Sequence, residues 1–88
     1  MKLKDGVIFT KVADETIVVT VGEAAEAFRG MIKLNATGAF IAENMQKDFE
    51  KEDLVKLLCK EYEIDEETAT KAAESVVEKF QSVGLIIE

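Results

Sequence analysis

Few side chains in this sequence are equipped for covalent or metal chemistry, and that scarcity narrows what the chain does. There is one cysteine, Cys59, and there is no histidine. A thiol nucleophile needs a neighbouring base or cation to hold its thiolate, and no imidazole exists to supply one. Cys59 falls on the apolar face of a helical pattern, where it reads as a buried reduced thiol. A single cysteine forms no intrachain disulfide, and zinc sites built on Cys/His spacing are impossible with these counts. Asp48, Glu50 and Asp53 lack the turn glycine and closing glutamate of a calcium-binding EF-hand loop. Ser75 sits mid-helix in Glu-Ser-Val and Ser82 near a helix end. Neither occupies the exposed helix start, in an Asp-Ser-Leu context, where an acyl carrier protein holds its phosphopantetheine arm. The carboxylates follow surface-like charge patterns rather than converging on a pocket of tuned pKa values. The expectation is a non-enzyme that uses no metal and no cofactor.

Eighty-eight residues make one domain, taken as 1–88, with enough length for one modest core. Apolar residues reach 48%, too many for a disordered chain. The net charge of −7 is unevenly placed. Residues 1–34 carry five acids and five bases, while residues 35–88 carry thirteen acids and six bases. An acidic helical half repels phosphate backbones, so nucleic acid is a poor partner; the same acidity also serves simply as a solubilising surface. No apolar run approaches a membrane span and no signal-peptide core opens the chain, which implies a cytoplasmic protein with no membrane partner.

The elements that would position any site are legible from periodicity. Val7–Val12 and Thr16–Val21 are rich in β-branched and aromatic residues, separated by Ala13-Asp14-Glu15 as in a hairpin. Glu23–Phe28 reads as a turn or two of helix or an irregular connection, broken by Arg29-Gly30. Met31–Leu34 is a third, short strand. Asn35 then caps a first helix whose apolar face is Ala36, Phe40, Ile41 and Met45. A second helix covers Lys51–Tyr62, with Phe49 and Leu54 spaced as a hydrophobic staple. A third starts at the Asp65 cap, carries Ala69, Ala73, Val76, Phe80 and Val83 at helical spacing, and stops at Gly84. Leu85–Ile87 is a short extended tail. Three strands cannot bury both faces alone, so helices must cover one of them. The expected class is α+β: a three-stranded antiparallel sheet followed by three helices, as in a winged helix-turn-helix.

Met31-Ile-Lys-Leu-Asn-Ala-Thr-Gly-Ala-Phe-Ile41 is the most informative stretch. The strand runs into a capped helix with no loop to spare. A strand held against a helical layer while one backbone edge stays unpaired is a template for another peptide.

The run Leu34-Asn35-Ala36-Thr37-Gly38-Ala39-Phe40-Ile41, then Glu52-Asp53-Leu54-Val55-Lys56-Leu57-Leu58, then Glu61-Tyr62 with Asp65-Glu66-Glu67, and the closing Phe80-Gln81-Ser82-Val83-Gly84-Leu85-Ile86, resembles the PqqD-like family, the relatives of coenzyme PQQ synthesis protein D. The resemblance spans about Gly6 to Glu88. It implies a small non-catalytic module that captures the leader segment of a ribosomally made precursor peptide. The module would deliver that peptide to a modifying enzyme, often a radical S-adenosylmethionine enzyme. Carried over, the augmented edge is Met31, Ile32, Lys33 and Leu34, and the helical wall is Ala72, Ser75, Val76, Lys79 and Phe80. Small Ala72 and Ser75 leave room for an incoming side chain, and Lys33 and Lys79 suit acidic leader residues. Blander readings stand beside these. Val76 and Phe80 also fit a core stripe, Met31 and Ile32 the two faces of a buried strand, and Lys79 a solvated helix position. Proline at Ile32 is expected to abolish peptide binding by removing a donor from the edge.

Two other classes compete. A DNA-binding winged helix needs a basic recognition helix, yet residues 65–83 hold Asp65, Glu66, Glu67, Glu74 and Glu78 against Lys71 and Lys79. A self-associating module would use the same open edge to pair with a second copy and form a homodimer.

Overall fold

The computed structural model describes residues 1–88. The chain runs β1 (Lys2–Leu3), β2 (Val7–Val12), β3 (Glu15–Thr20), α1 (Gly22–Ala27), β4 (Met31–Leu34), α2 (Ala36–Glu43), α3 (Lys51–Tyr62), α4 (Glu66–Ser82) and β5 (Ile86–Ile87). Strands β2, β3 and β4 form one antiparallel sheet in sequence order, as expected. Two features go beyond the sequence reading. The connection after β3 is a true helix, α1, and β1 pairs with β5 in a second, two-stranded sheet. That pairing joins the two ends of the chain. The Lys4 N–H donates to the Leu85 carbonyl at 2.8 Å and the Leu3 N–H to the Met45 carbonyl at 2.9 Å. Two-residue strands carry no periodicity that a sequence can display.

Register assigns the faces of the main sheet. Phe9, Val18 and Ile32 lie side by side across the three strands, and Lys11, Thr16 and Leu34 form the next row. These rows face the helices: Val18 is fully buried, and Ile32 and Leu34 nearly so. The opposite face carries Ile8, Val19 and Met31 in one row and Thr10, Ile17 and Lys33 in the next. Helix α2 packs on β3 and β4 and also on α4, while α3 lies along α4. Eighteen buried apolar residues form one core cluster between these layers.

The helix ends follow their sequence signals. Asn35 Oδ1 accepts from the Gly38 N–H at 2.8 Å and Asp65 Oδ1 from the Thr68 N–H at 2.7 Å. Glu50, a mediocre cap by type, is helped by Asp53, whose Oδ2 accepts from the Glu50 N–H at 2.9 Å. The staple residues Phe49 and Leu54 are both buried. Helix α4 closes in a Schellman motif. Gly84 takes φ +75°, its N–H donates to the Gln81 carbonyl, and the Leu85 N–H donates to the Phe80 carbonyl, each at 3.0 Å.

Three details differ from the sequence reading. Met45 is fully buried but lies beyond the end of α2, in the turn that β1 bonds to. The deepest positions of α4 are Ala69, Ala73, Val77 and Phe80, so Val77 takes the place expected of Val76, which is half-buried. The hairpin turn is two residues, Ala13-Asp14, because Val12 pairs with Glu15. Ala13 sits at φ +56°, in the region that favours glycine, as the first position of a tight hairpin requires.

Candidate functional site

Strand β4 has one neighbour. It pairs with β3, nothing pairs with its other edge, and no side chain bonds to the backbone of residues 31–34. In an antiparallel ladder, backbone groups alternate in direction, so only every second residue of an edge strand is open. The phase is set at the far end of β3. The Val21 N–H donates to the Gly6 carbonyl at 2.8 Å, so Val21 turns its backbone toward β2. Val21 is extended at φ −138° and ψ 164°, which carries the alternation back into β3. Val19 and Ile17 therefore also face β2, and Val18 and Thr16 face β4. Their partners Ile32 and Leu34 spend their backbone groups on β3. Met31 and Lys33 are left with N–H and C=O pointing outward.

This phase corrects the expectation for Ile32. Its N–H belongs to the β3–β4 ladder, so proline there breaks the sheet itself. The open donors are those of Met31 and Lys33.

Side chains at these positions alternate with the pleat. Met31 is 65% exposed and Lys33 is exposed, while Ile32 and Leu34 are 7% and 5% exposed. The strand is held at both ends: Thr20 Oγ1 donates to the Phe28 carbonyl at 2.6 Å just before it, and Asn35 caps α2 just after it. Gly6, which anchors the phase, has φ +101°, and a side chain there would collide with the Val21 carbonyl oxygen.

The candidate wall on α4 divides by burial. Ala72 and Val76 are half-buried against the core, Ser75 and Lys79 are exposed, and Phe80 is fully buried. Residues 72, 75, 76 and 79 share one stripe of the helix by their i, i+3 and i, i+4 spacing, with Phe80 beneath in the core. The strand and this helix are linked through α2, which packs on both β4 and α4. Lys33 and Lys79 take part in no ion pair.

The clefts of the molecule lie elsewhere. The largest, about 700 Å³, runs between α3 and α4 and is lined by Val55, Lys56, Cys59, Lys60, Glu66 and Thr70, among others. A second, about 480 Å³, opens between the hairpin and α2 at Phe9, Lys11, Thr16, Ala39 and Phe40. Sequence reasoning pointed to neither, since their linings share no motif. Cys59 is half-buried, and no group of three or more His, Cys, Asp or Glu residues is arranged to hold a metal ion. No helix is long and apolar enough to cross a membrane. The one displaced titration is that of Asp65, whose carboxyl is held below the ordinary carboxylate value by its hydrogen bonds to Thr68. The β4 edge is thus a ladder rather than a pocket: two open backbone rungs beneath two exposed side chains.

The fold is a three-stranded antiparallel sheet with an open third strand, with α2 packed on both that strand and the long last helix, and comparison with known proteins assigns the family. Residues 13–86 match the family of coenzyme PQQ synthesis protein D (PqqD), and the chain belongs to it. Two solved structures share the fold. TbiB1, solved in complex with the TbiA(beta) leader peptide, superposes with a TM-score of 0.74 at 21% identity, over 97% of this chain and 93% of that one. Lasso peptide synthetase B1, solved with its leader peptide, gives a TM-score of 0.72 at 17% identity, over 99% and 96%. No curated protein matches the chain in sequence.

Proposed function

We propose that this chain captures the leader segment of a ribosomally made precursor peptide by adding it as a fourth strand to β4, and presents it to a modifying enzyme. The observation that carries this reading is the open edge at Met31 and Lys33. Membership of the PqqD family and the shared fold of two leader-peptide complexes support it. On this reading Met31, Ile32, Lys33 and Leu34 form the receiving strand. Ala72, Ser75, Val76 and Lys79 face the guest along α4, with Phe80 setting the floor. Affinity comes from the backbone ladder and selectivity from alternate side chains. On this reading the chain acts by binding, and its partner, a radical S-adenosylmethionine or other modifying enzyme, supplies the chemistry.

Titration of the labelled protein with a candidate leader tests the assignment. Amide shifts are expected to cluster at residues 31–34 and 72–80. Shifts confined to residues 48–62, which include the α3 side of the largest cleft, would refute it.

A further inference from the structure

The two open rungs of β4 also carry the two exposed side chains of that strand, and each ends a row crossing the outer face of the sheet. The first row is Ile8, Val19 and Met31. Ile8 is 42% and Met31 65% exposed, so this row is apolar and uncovered out to the edge. The second row is Thr10, Ile17 and Lys33. It ends in a cation without a counter-charge, for Glu15 shares that face and makes no ion pair with Lys33.

A guest strand continues both rows. In an antiparallel pair, a guest residue that exchanges both backbone bonds with Met31 or Lys33 stands directly opposite it, with Cα atoms about 5.5 Å apart and side chains on the same face. The guest residue facing Met31 extends an apolar row, and the one facing Lys33 answers an unpaired ammonium. Antiparallel addition continues the pattern of a sheet that is antiparallel throughout. Because the guest runs opposite to β4, its residue at Lys33 lies two positions before its residue at Met31.

We propose that the recognised leader carries an acidic residue two positions N-terminal to an apolar one, seated against Lys33 and Met31 on the outer face of the sheet. This deepens the strand-addition reading and rests on it. The guest side chain between these two points to the helix side, beside Ile32, as does the one just before the acidic residue, beside Leu34, so the outer-face pair is a separate selectivity element from the α4 wall.

The test is a displayed library of random twelve-residue peptides, selected in parallel against the wild-type chain and the K33E variant. Peptides recovered from each are then titrated into labelled protein. The wild type is expected to enrich acidic-x-apolar segments that shift the amides of residues 31–34. K33E is expected to enrich basic-x-apolar segments at the same place. Exchanging the charged residue of a recovered peptide should change its affinity about two- to fivefold, in opposite directions for the two proteins, as an exposed ion pair does. A matching thermal melt establishes that K33E is folded. Equal charge preference in the two selections, or enrichment of the reverse order, overturns this inference while leaving strand addition standing. Recovered peptides that leave residues 31–34 unperturbed overturn strand addition itself.

Discussion

The sheet has two open edges, and they are not equivalent. On β2 the same alternation leaves Val7, Phe9 and Lys11 with outward backbone groups, because Ile8, Thr10 and Val12 face β3. Three rungs there should make a better template than the two on β4. The side chains reverse that order. Val7 and Phe9 stand on the inner face, half-buried and packed against the core, and Lys11 lines the cleft beside α2. A guest on β2 gains a ladder with its neighbouring side chains already committed inward. On β4 the open rungs coincide with the exposed side chains, Met31 and Lys33, so a guest gains ladder and cross-strand pairs together. The number of free hydrogen bonds measures how sticky an edge is, whereas the face on which its open residues project decides whether it can be selective.

Proline separates the two edges most sharply. Ile32→Pro removes a bond of the β3–β4 ladder and should cost about 3 kcal/mol or more in a denaturant titration, by analogy with proline in a helix interior. It should lose peptide binding only because the strand is lost. Lys33→Pro removes an outward donor and should keep most of the stability while weakening a bound peptide about tenfold or more, the scale of one lost bond plus the clash of the ring. Lys11→Pro, its counterpart on β2, should leave that affinity within about twofold, since an edge-strand proline disturbs only its own side of the ladder. Equal losses from Lys11→Pro and Lys33→Pro, read by calorimetric titration, would erase the distinction between the edges.

Much of this layout was legible in the sequence. The β-branched runs, the Asn35 and Asp65 caps, the Phe49–Leu54 staple and the Gly84 stop each express a local rule that tertiary packing left intact. The β1–β5 sheet was hidden because two residues show no alternation. The phase of the edge was hidden for another reason. Reading Ala13-Asp14-Glu15 as the spacer begins the second strand one residue late, at Thr16, and the open rungs of β4 depend on where the ladder closes. The tight turn passes through Ala13 in a conformation that glycine usually fills, so the usual Asn-Gly or Gly-x signal is missing. The α4 wall was legible as a stripe, but the burial of Val77 rather than Val76 follows from helix rotation set by packing on α2 and α3.

Smaller effects sharpen the same picture. Ala13→Gly should relieve the left-handed turn and stabilise the hairpin by about 0.5–1 kcal/mol in thermal denaturation. Peptide binding at β4 should not change, since the turn lies at the end of β2 and β3. The weakest effect is that of pH on α4. Asp65 titrates below its ordinary value when folded, so its contribution is complete above the unfolded value and fades as pH falls through the lowered one. Asp65→Asn keeps a capping oxygen and should remove this part of the acid sensitivity in melts compared below about pH 4, the range in which aspartates titrate.

Amide hydrogen exchange at the two edges tests the central claim most directly. In the free protein the amides of Met31 and Lys33 should exchange fast while those of Ile32 and Leu34 are protected. On saturation with a bound leader, Met31 and Lys33 should become protected, with Val7, Phe9 and Lys11 unchanged. Protection that appears at Val7, Phe9 and Lys11 while Met31 and Lys33 stay open would contradict the account.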